Sequence, residues 1–152
     1  MAEGTSGPRA SFGQRLGAYL IDIVVVIVAS AIVGGIIAAV GGGSGGIVIG
    51  YLVYIVGTAV YFSYFEGSAT GQTLGKRALG IRVYDFSRGG SIGFGRGFVR
   101  YIGRLLSGAP CALGYLWMLW DNEKQTWHDK IATTVVVPTS AYPTDGGGAP
   151  TT

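Results

Sequence analysis

The chain has 152 residues, enough for one small domain, and apolar segments take up so much of that length that no separate soluble catalytic domain fits. Hydrophobic residues make up 49% and charged residues only 12%, against about 25% charged in ordinary soluble domains, so the composition is that of a membrane protein. The net charge of +3 is modest, and most basic residues lie between Lys76 and Arg104 beside apolar segments, which points to anionic lipid and excludes a nucleic-acid surface.

Residues 1–11 are rich in glycine and small polar residues and are expected to form a flexible N-terminus. A membrane domain is expected over residues 12–137. Its first element is the apolar run Leu16–Val40, 25 residues, and its second is Ile47–Phe65, 19 residues. About 20 apolar residues span the roughly 30 Å of hydrocarbon in a bilayer, so both are predicted as transmembrane helices. No small-residue cleavage site closes the first run, which is therefore expected to be a retained helix and not a signal peptide. The glycine-rich stretch Gly41–Gly46 between them predicts a tight, flexible turn. Tyr61–Phe65 ends the second run with an aromatic cluster suited to the headgroup level. The polar stretch from Glu66 to Gly97 then carries Lys76, Arg77, Arg82, Arg88 and Arg96 against Glu66 and Asp85. By the positive-inside rule it is cytoplasmic, as is the N-terminus.

A third apolar stretch, residues 98–120, contains Arg100 and Arg104 and is interrupted at Ser107–Pro110. Proline inside a helix removes a backbone hydrogen bond and clashes with the preceding turn, so a kink or break is predicted near Gly108. The segment either spans or folds back. The returning, re-entrant form is preferred, because Lys124 and Lys130 follow it and because two strand patterns need to lie on one side of the membrane. Gly80–Asp85 alternates apolar and polar residues, and Thr133–Val137 is rich in β-branched residues and closed by Pro138. These predict a small cytoplasmic β element. Residues 138–152, rich in Pro, Gly and Thr, are expected to be a disordered tail.

Several local patterns invite stronger claims. Gly71, Gly75, Lys76 and Arg77 suggest a phosphate-binding loop, but three residues separate the glycines instead of four, and Arg77 stands where Ser or Thr should hold magnesium. Nucleotide binding is rejected, and the motif is assigned to an interfacial loop. Gly93–Gly97 lacks the dinucleotide-binding spacing. Small residues at Ala31, Gly34, Gly35 and Ala38 permit close helix packing, either onto the second helix, which is preferred, or in a dimer. In Trp127-His128-Asp129, the tryptophan is expected at the interface, His128 exposed, and Asp129 capping a helix or paired with a loop arginine. Cys111, His128 and the scattered carboxylates show no metal-ligand spacing, so no metal and no cofactor is expected. One cysteine also rules out an intrachain disulfide.

Taken together, five separated motifs resemble the RDD family of bacterial membrane proteins, named for one arginine and two aspartates. Arg15, Asp22 and Asp129 match those signature positions, and Gly71–Val83 and Thr134–Val137 resemble the connecting motifs. The resemblance implies an integral protein of the bacterial cytoplasmic membrane with a suggested role in transport.

A charge in the membrane core costs at least about 2.5–3.5 kcal/mol and is a functional-site hypothesis by default. Asp22 is seven residues beyond Arg15, on nearly the same helix face but roughly 10 Å further along, too far to pair with it easily. Arg15 can instead snorkel to the headgroups. Asp22 therefore either binds a cation or proton, or neutralises Arg100 or Arg104 from the third segment. The fold expected is an all-α membrane protein with two transmembrane helices, a kinked or re-entrant third segment and the small β element. No nucleophile with a base, paired carboxylates or metal spacing marks it as an enzyme. The expected function is a component of ion- or proton-linked membrane transport, acting as a homo-oligomer or with partners; the alternative is a non-catalytic assembly or accessory subunit of a larger membrane complex in which the charges pair helices.

Overall fold

The computed structural model describes residues 7–41 and 43–143. Two long helices, α1 (Phe12–Gly41) and α2 (Ser44–Gly67), pack as a hairpin. Their unbroken apolar sequence offers the backbone no competing side-chain partner, so helical hydrogen bonding runs on through Gly45 and Gly46. The expected turn is correspondingly shorter, and Gly43 reverses the chain at φ +87°.

Each helix buries only a narrow stripe with a spacing of four residues: Ala18, Asp22 and Val26 on α1, and Thr58, Phe62 and Glu66 on α2. Around these stripes the apolar side chains face outward, with Val24 61% and Ile32 60% exposed. A helix apolar on all sides and unburied by its own chain needs an apolar solvent. The small residues do not serve the hairpin as expected. Ala38 meets Gly46 near the turn, but Gly34 and Gly35 have no neighbour within 4 Å of where a side chain would begin.

The rest of the chain forms a cap over one end of the hairpin. It comprises α3 (Leu74–Ala78), β1 (Ile81–Asp85), α4 (Gly93–Gly108), α5 (Leu113–Leu116), a 3-10 turn (Trp117–Leu119), α6 (Trp127–Ala132) and β2 (Thr134–Pro138). The strands pair antiparallel, with Ile81 opposite Pro138 and Asp85 opposite Thr134. A lone two-stranded sheet is marginal; this one is covered on both faces. Ile81, Val83 and Val136 pack with Ala10 and Ala18 of the hairpin side, while Tyr84, Val135 and Val137 pack with Tyr142.

That covering corrects two expectations of disorder. Ala10 is buried, and its N–H donates to the Val136 carbonyl at 2.9 Å, so residues 7–11 run against the sheet. Tyr142 is fully buried, packs edge-on against Tyr84 and accepts a hydrogen bond from Gly7 N at 2.8 Å. Residues 138–143 are therefore part of the cap; the rest of the expected N-terminal and C-terminal loose segments lies outside the described residues.

Helix α4 begins earlier than the third apolar stretch and ends at Gly108. Cys111 and Ala112 follow with positive φ, turning the chain into α5. Its amphipathicity is reversed from that of a water-soluble helix. Arg100, Tyr101, Arg104 and Ser107 are buried at helical spacing, whereas Phe98, Ile102, Leu105 and Leu106 are exposed. Helix α4 turns its charges inward onto α2 and α6 and its apolar face outward.

Candidate functional site: a buried charge network and its aspartate anchor

The inward face of α4 meets acids from two other helices. Arg100 Nε donates to Glu66 Oε2 at 2.9 Å, and its Nη1 donates to Asp129 Oδ1 and to Thr134 Oγ1. Glu66 Oε1 also receives Lys76 Nζ at 2.6 Å and Arg104 Nη2 at 2.7 Å. At the other end, Arg15 Nη2 donates to Asp129 Oδ2 at 2.6 Å. Glu66, Arg100 and Asp129 are essentially inaccessible to solvent. Arg15, Lys76, Arg100 and Arg104 thus surround Glu66 and Asp129, four cations to two carboxylates.

Local sequence explains why Asp129 fits there. It stands three residues after Thr126 at the start of α6, and its Oδ2 accepts from Thr126 N at 3.0 Å and Thr126 Oγ1 at 2.9 Å. This capping interaction fixes the carboxylate before the arginines reach it. Burial alone would push the Asp129 carboxyl up, but Arg15 and Arg100 outweigh it and hold it well below the usual range. The expectation that Asp129 caps or pairs with a loop arginine is thereby refined: it does both, and its arginines come from α1 and α4. Arg15 does not reach for headgroups, because the cap folds over it and supplies the partner.

His128 is buried and not exposed as expected. Its Nδ1 lies 3.2 Å from Ser107 Oγ and its Nε2 lies 2.9 Å from Thr126 Oγ1. Ser107 is itself fully buried and donates to the Gly103 carbonyl, so this contact ties α6 to α4. Burial pushes the imidazole well below its ordinary pKa; the Asp129 charge opposes this, and Arg100, Arg104 and Arg15 add to it.

Asp22 is served by a different set of groups. Tyr61 OH donates to its Oδ1 at 2.8 Å, Gly75 N donates to the same oxygen at 2.8 Å, and Thr73 Oγ1 donates to Oδ2 at 2.6 Å. The expected pairing with Arg100 or Arg104 is not formed; those arginines are taken by Glu66 and Asp129. The reason lies in α3, which docks beside α1 and presents uncharged donors first. Gly75 makes this docking feasible, since a Cβ there would strike the Ala18 carbonyl and crowd the Asp22 carboxylate. Gly71, at φ +64°, similarly lies against the Val83 carbonyl, and its own carbonyl accepts from Val83 N at 2.8 Å. Lys76 turns inward to Glu66, while Arg77 is on the exposed side of α3. The glycine-lysine motif thus closes the cap onto the hairpin.

By sequence alone Glu66 is only the first residue of a basic loop. Its signal was its place as the one acid following the aromatic cluster Tyr61–Phe65 and facing a run of arginines and lysines. Tyr61 and Thr73 gave no comparable sign. Among the described residues, no three His, Cys, Asp or Glu side chains converge into a metal-ligand cluster.

The RDD family model matches residues 9–133. The "Proline-rich antigen" of Mycobacterium leprae is 34% identical over 96 residues, covering 61% of this chain and 38% of that protein. The "Proline-rich antigen homolog" of Mycobacterium tuberculosis is 38% identical over 90 residues, covering 59% of this chain and 36% of that protein. The "Uncharacterized protein YxaI" of Bacillus subtilis is 35% identical over 86 residues, covering 57% of this chain and 56% of that protein. The chain therefore matches between about a third and somewhat over half of the length of these relatives. No solved structure matches it. With the family model extending across Arg15, Asp22, Glu66, Arg100 and Asp129, the chain belongs to the RDD family.

Proposed function

We propose that the chain is a non-catalytic, multi-pass integral protein of the bacterial cytoplasmic membrane that serves as an assembly or accessory subunit. In this role the signature arginine and aspartates lock a cytoplasmic cap onto two membrane spans. One observation carries the reading: each signature charge is bonded to other groups of the same chain, Arg15 with Asp129 and Asp22 with Tyr61, Thr73 and Gly75. Charges so occupied brace a structure, and neither signature carboxylate is left without a partner. The exposed apolar faces of α1, α2 and α4 suit lipid and partner helices. The basic residues from Lys76 to Arg96 support a cytoplasmic cap and N-terminus, with the 98–120 stretch returning to that side.

Ion-linked transport is the second reading, as a homo-oligomer or with partners, because two spans alone enclose no pathway. It is favoured by a cavity between α1 and α4 whose lining includes Arg15, Lys76, Arg100 and Arg104. The deciding experiment is Asp22→Asn in the full chain, which keeps the side-chain shape and removes the charge. Unchanged ion flux and pH homeostasis in cells, with lower yield and smaller complexes in native membranes, is the result expected of an accessory subunit. Lost flux with intact assembly overturns that reading in favour of transport.

A further inference from the structure

Residues 98–120 leave one end of the hairpin and come back to the same end. Helix α4 starts against Gly67, where a Cβ would strike the backbones of Gly93 and Phe94, and Gly97 lies as closely against the Ser63 carbonyl. Tyr101 then reaches Thr58, with its hydroxyl 3.0 Å from Thr58 Oγ1. From Gly67 to Thr58 is about 14 Å along α2, about half of a hydrocarbon core roughly 30 Å thick. Between Val26 and Thr58 neither long helix buries a residue. The return is fixed at the first turn of α1, where Arg15 Nη1 donates to the Lys124 carbonyl at 3.0 Å.

What this segment turns outward is apolar. Phe98, Ile102 and Leu105 follow one another at helical spacing along α4 and are 51%, 43% and 58% exposed, and residues 105–120 contain no Asp, Glu, Lys, Arg or His. The face joins the exposed flank of α2 without a break, since the Phe94 ring stacks on Tyr64 at 5.5 Å and Tyr64 is itself exposed. One solvent therefore meets both surfaces. The reversal at the tip satisfies its own backbone: the N–H groups of Cys111, Ala112 and Leu113 donate to the carbonyls of Ala109, Gly108 and Pro110. A turn surrounded by hydrocarbon must do so, because no water is there to bond it. Where the segment ends, exposed Trp120 lies edge-on against Trp117, and indole rings favour the membrane boundary.

We propose that residues 98–120 are immersed in the cytoplasmic leaflet as a re-entrant wedge, with the acyl chains of that leaflet packed on the outer face of α4 and α5. The inference rests on the cytoplasmic placement of the cap proposed above. Internal pairing is what permits immersion: Arg100 and Arg104 are held by Glu66 and Asp129, so α4 carries no unpaired charge into hydrocarbon. Arg104 also lies over the Phe62 ring at 4.2 Å. The chain then displaces lipid unequally, with the hairpin alone in the outer leaflet and the hairpin plus the wedge in the inner one.

The test places a nitroxide on single cysteines of the full chain, with Cys111→Ala as background, in nanodiscs of phosphatidylcholine and phosphatidylglycerol. Collisions with oxygen, which concentrates in hydrocarbon, are compared with collisions with a water-soluble nickel chelate. Leu105→Cys and Ile102→Cys replace exposed side chains, Ile32→Cys on α1 is the lipid reference, and Lys124→Cys is the aqueous one. The oxygen-to-nickel ratio at Leu105→Cys should match that at Ile32→Cys and exceed that at Lys124→Cys; Ile102→Cys gives a second reading should Leu105→Cys fold poorly. A ratio equal to that of Lys124→Cys puts the face in water and overturns the proposal. Shielding from both reagents, with spin-spin broadening that disappears on dilution with unlabelled chain, assigns the face to a second copy and overturns it too. A membrane-impermeant maleimide separates these outcomes from failure of the underlying placement. It should label Lys124→Cys in inverted membrane vesicles and not in intact cells; labelling in intact cells overturns the cytoplasmic cap, and the wedge with it, whatever the collision ratios.

Discussion

Between Asp22 and Glu66 the hairpin contains no aspartate, glutamate, lysine, arginine or histidine, whereas the cap, together with Glu66 at the foot of α2, buries Glu66, Lys76, Arg82, Asp85, Arg100, Arg104, His128 and Asp129. The hairpin exposes its apolar groups and the cap encloses its charges. The contrast shows two distinct ways of making a stable structure in one short chain. The hairpin relies on its surroundings, since its stripes bury few side chains and most of its apolar surface must be met by lipid or another helix. The cap relies on internal pairing, where desolvation of each ion is repaid only while its partners are present. Asp22 belongs to the junction, roughly 15 Å along α1 from Phe12 at 1.5 Å per residue, where α3 reaches down beside the hairpin.

The contrast is most severely tested by Glu66→Gln. Lys76, Arg100 and Arg104 would lose their shared carboxylate, and a cost of about 3–5 kcal/mol is expected, as when one partner of a buried pair is removed. Urea unfolding in detergent measures it, and a loss below about 1 kcal/mol would show that the network contributes little to the cap. Next in size is Ile32→Lys in the hairpin, which should lower membrane insertion by about 2.5–3.5 kcal/mol. Insertion equal to wild type would mean that this face of α1 is not lipid-facing.

Asp22→Asn comes third, at about 1–3 kcal/mol, because hydrogen bonds to a charged acceptor weaken and the amide turns a donor toward Tyr61 or Thr73. An unfolding midpoint unaffected by it would remove Asp22 from the junction. Acidification should act on the cap through His128. Its folded pKa is depressed, so the unfolded chain takes up a proton near pH 6.5 while the folded chain does not. Its contribution is full above that value and falls by at most about 1.4 kcal/mol per pH unit below it. Asp129, also depressed in the folded chain, adds a further loss only below about pH 3.9, its unfolded value. His128→Gln should flatten the slope between pH 6.5 and pH 5; an unchanged slope assigns the pH response elsewhere. Smallest of all, Ile32→Leu should stay within about 0.5 kcal/mol, as an exposed apolar exchange with no packing to disturb.

The apolar lengths of α1 and α2 and the alternation of β1 were open to direct inspection, because length and periodicity are local properties that a bilayer or a sheet face reads without knowing the rest of the chain. The basic run of α4 and the arginine and aspartate signature were visible too, as residues in need of partners. Their pairing was not. Tyr61 and Thr73 reach Asp22 from 39 and 51 residues away, and uncharged donors leave no mark that distinguishes them from other tyrosines and threonines. Glu66 became the centre of the network only when α4 crossed α2, and His128 became buried only when α6 packed on α4. Pairing depends on which helices meet and at what register, and those long-range contacts are selected jointly by the desolvation of every charge in the cap.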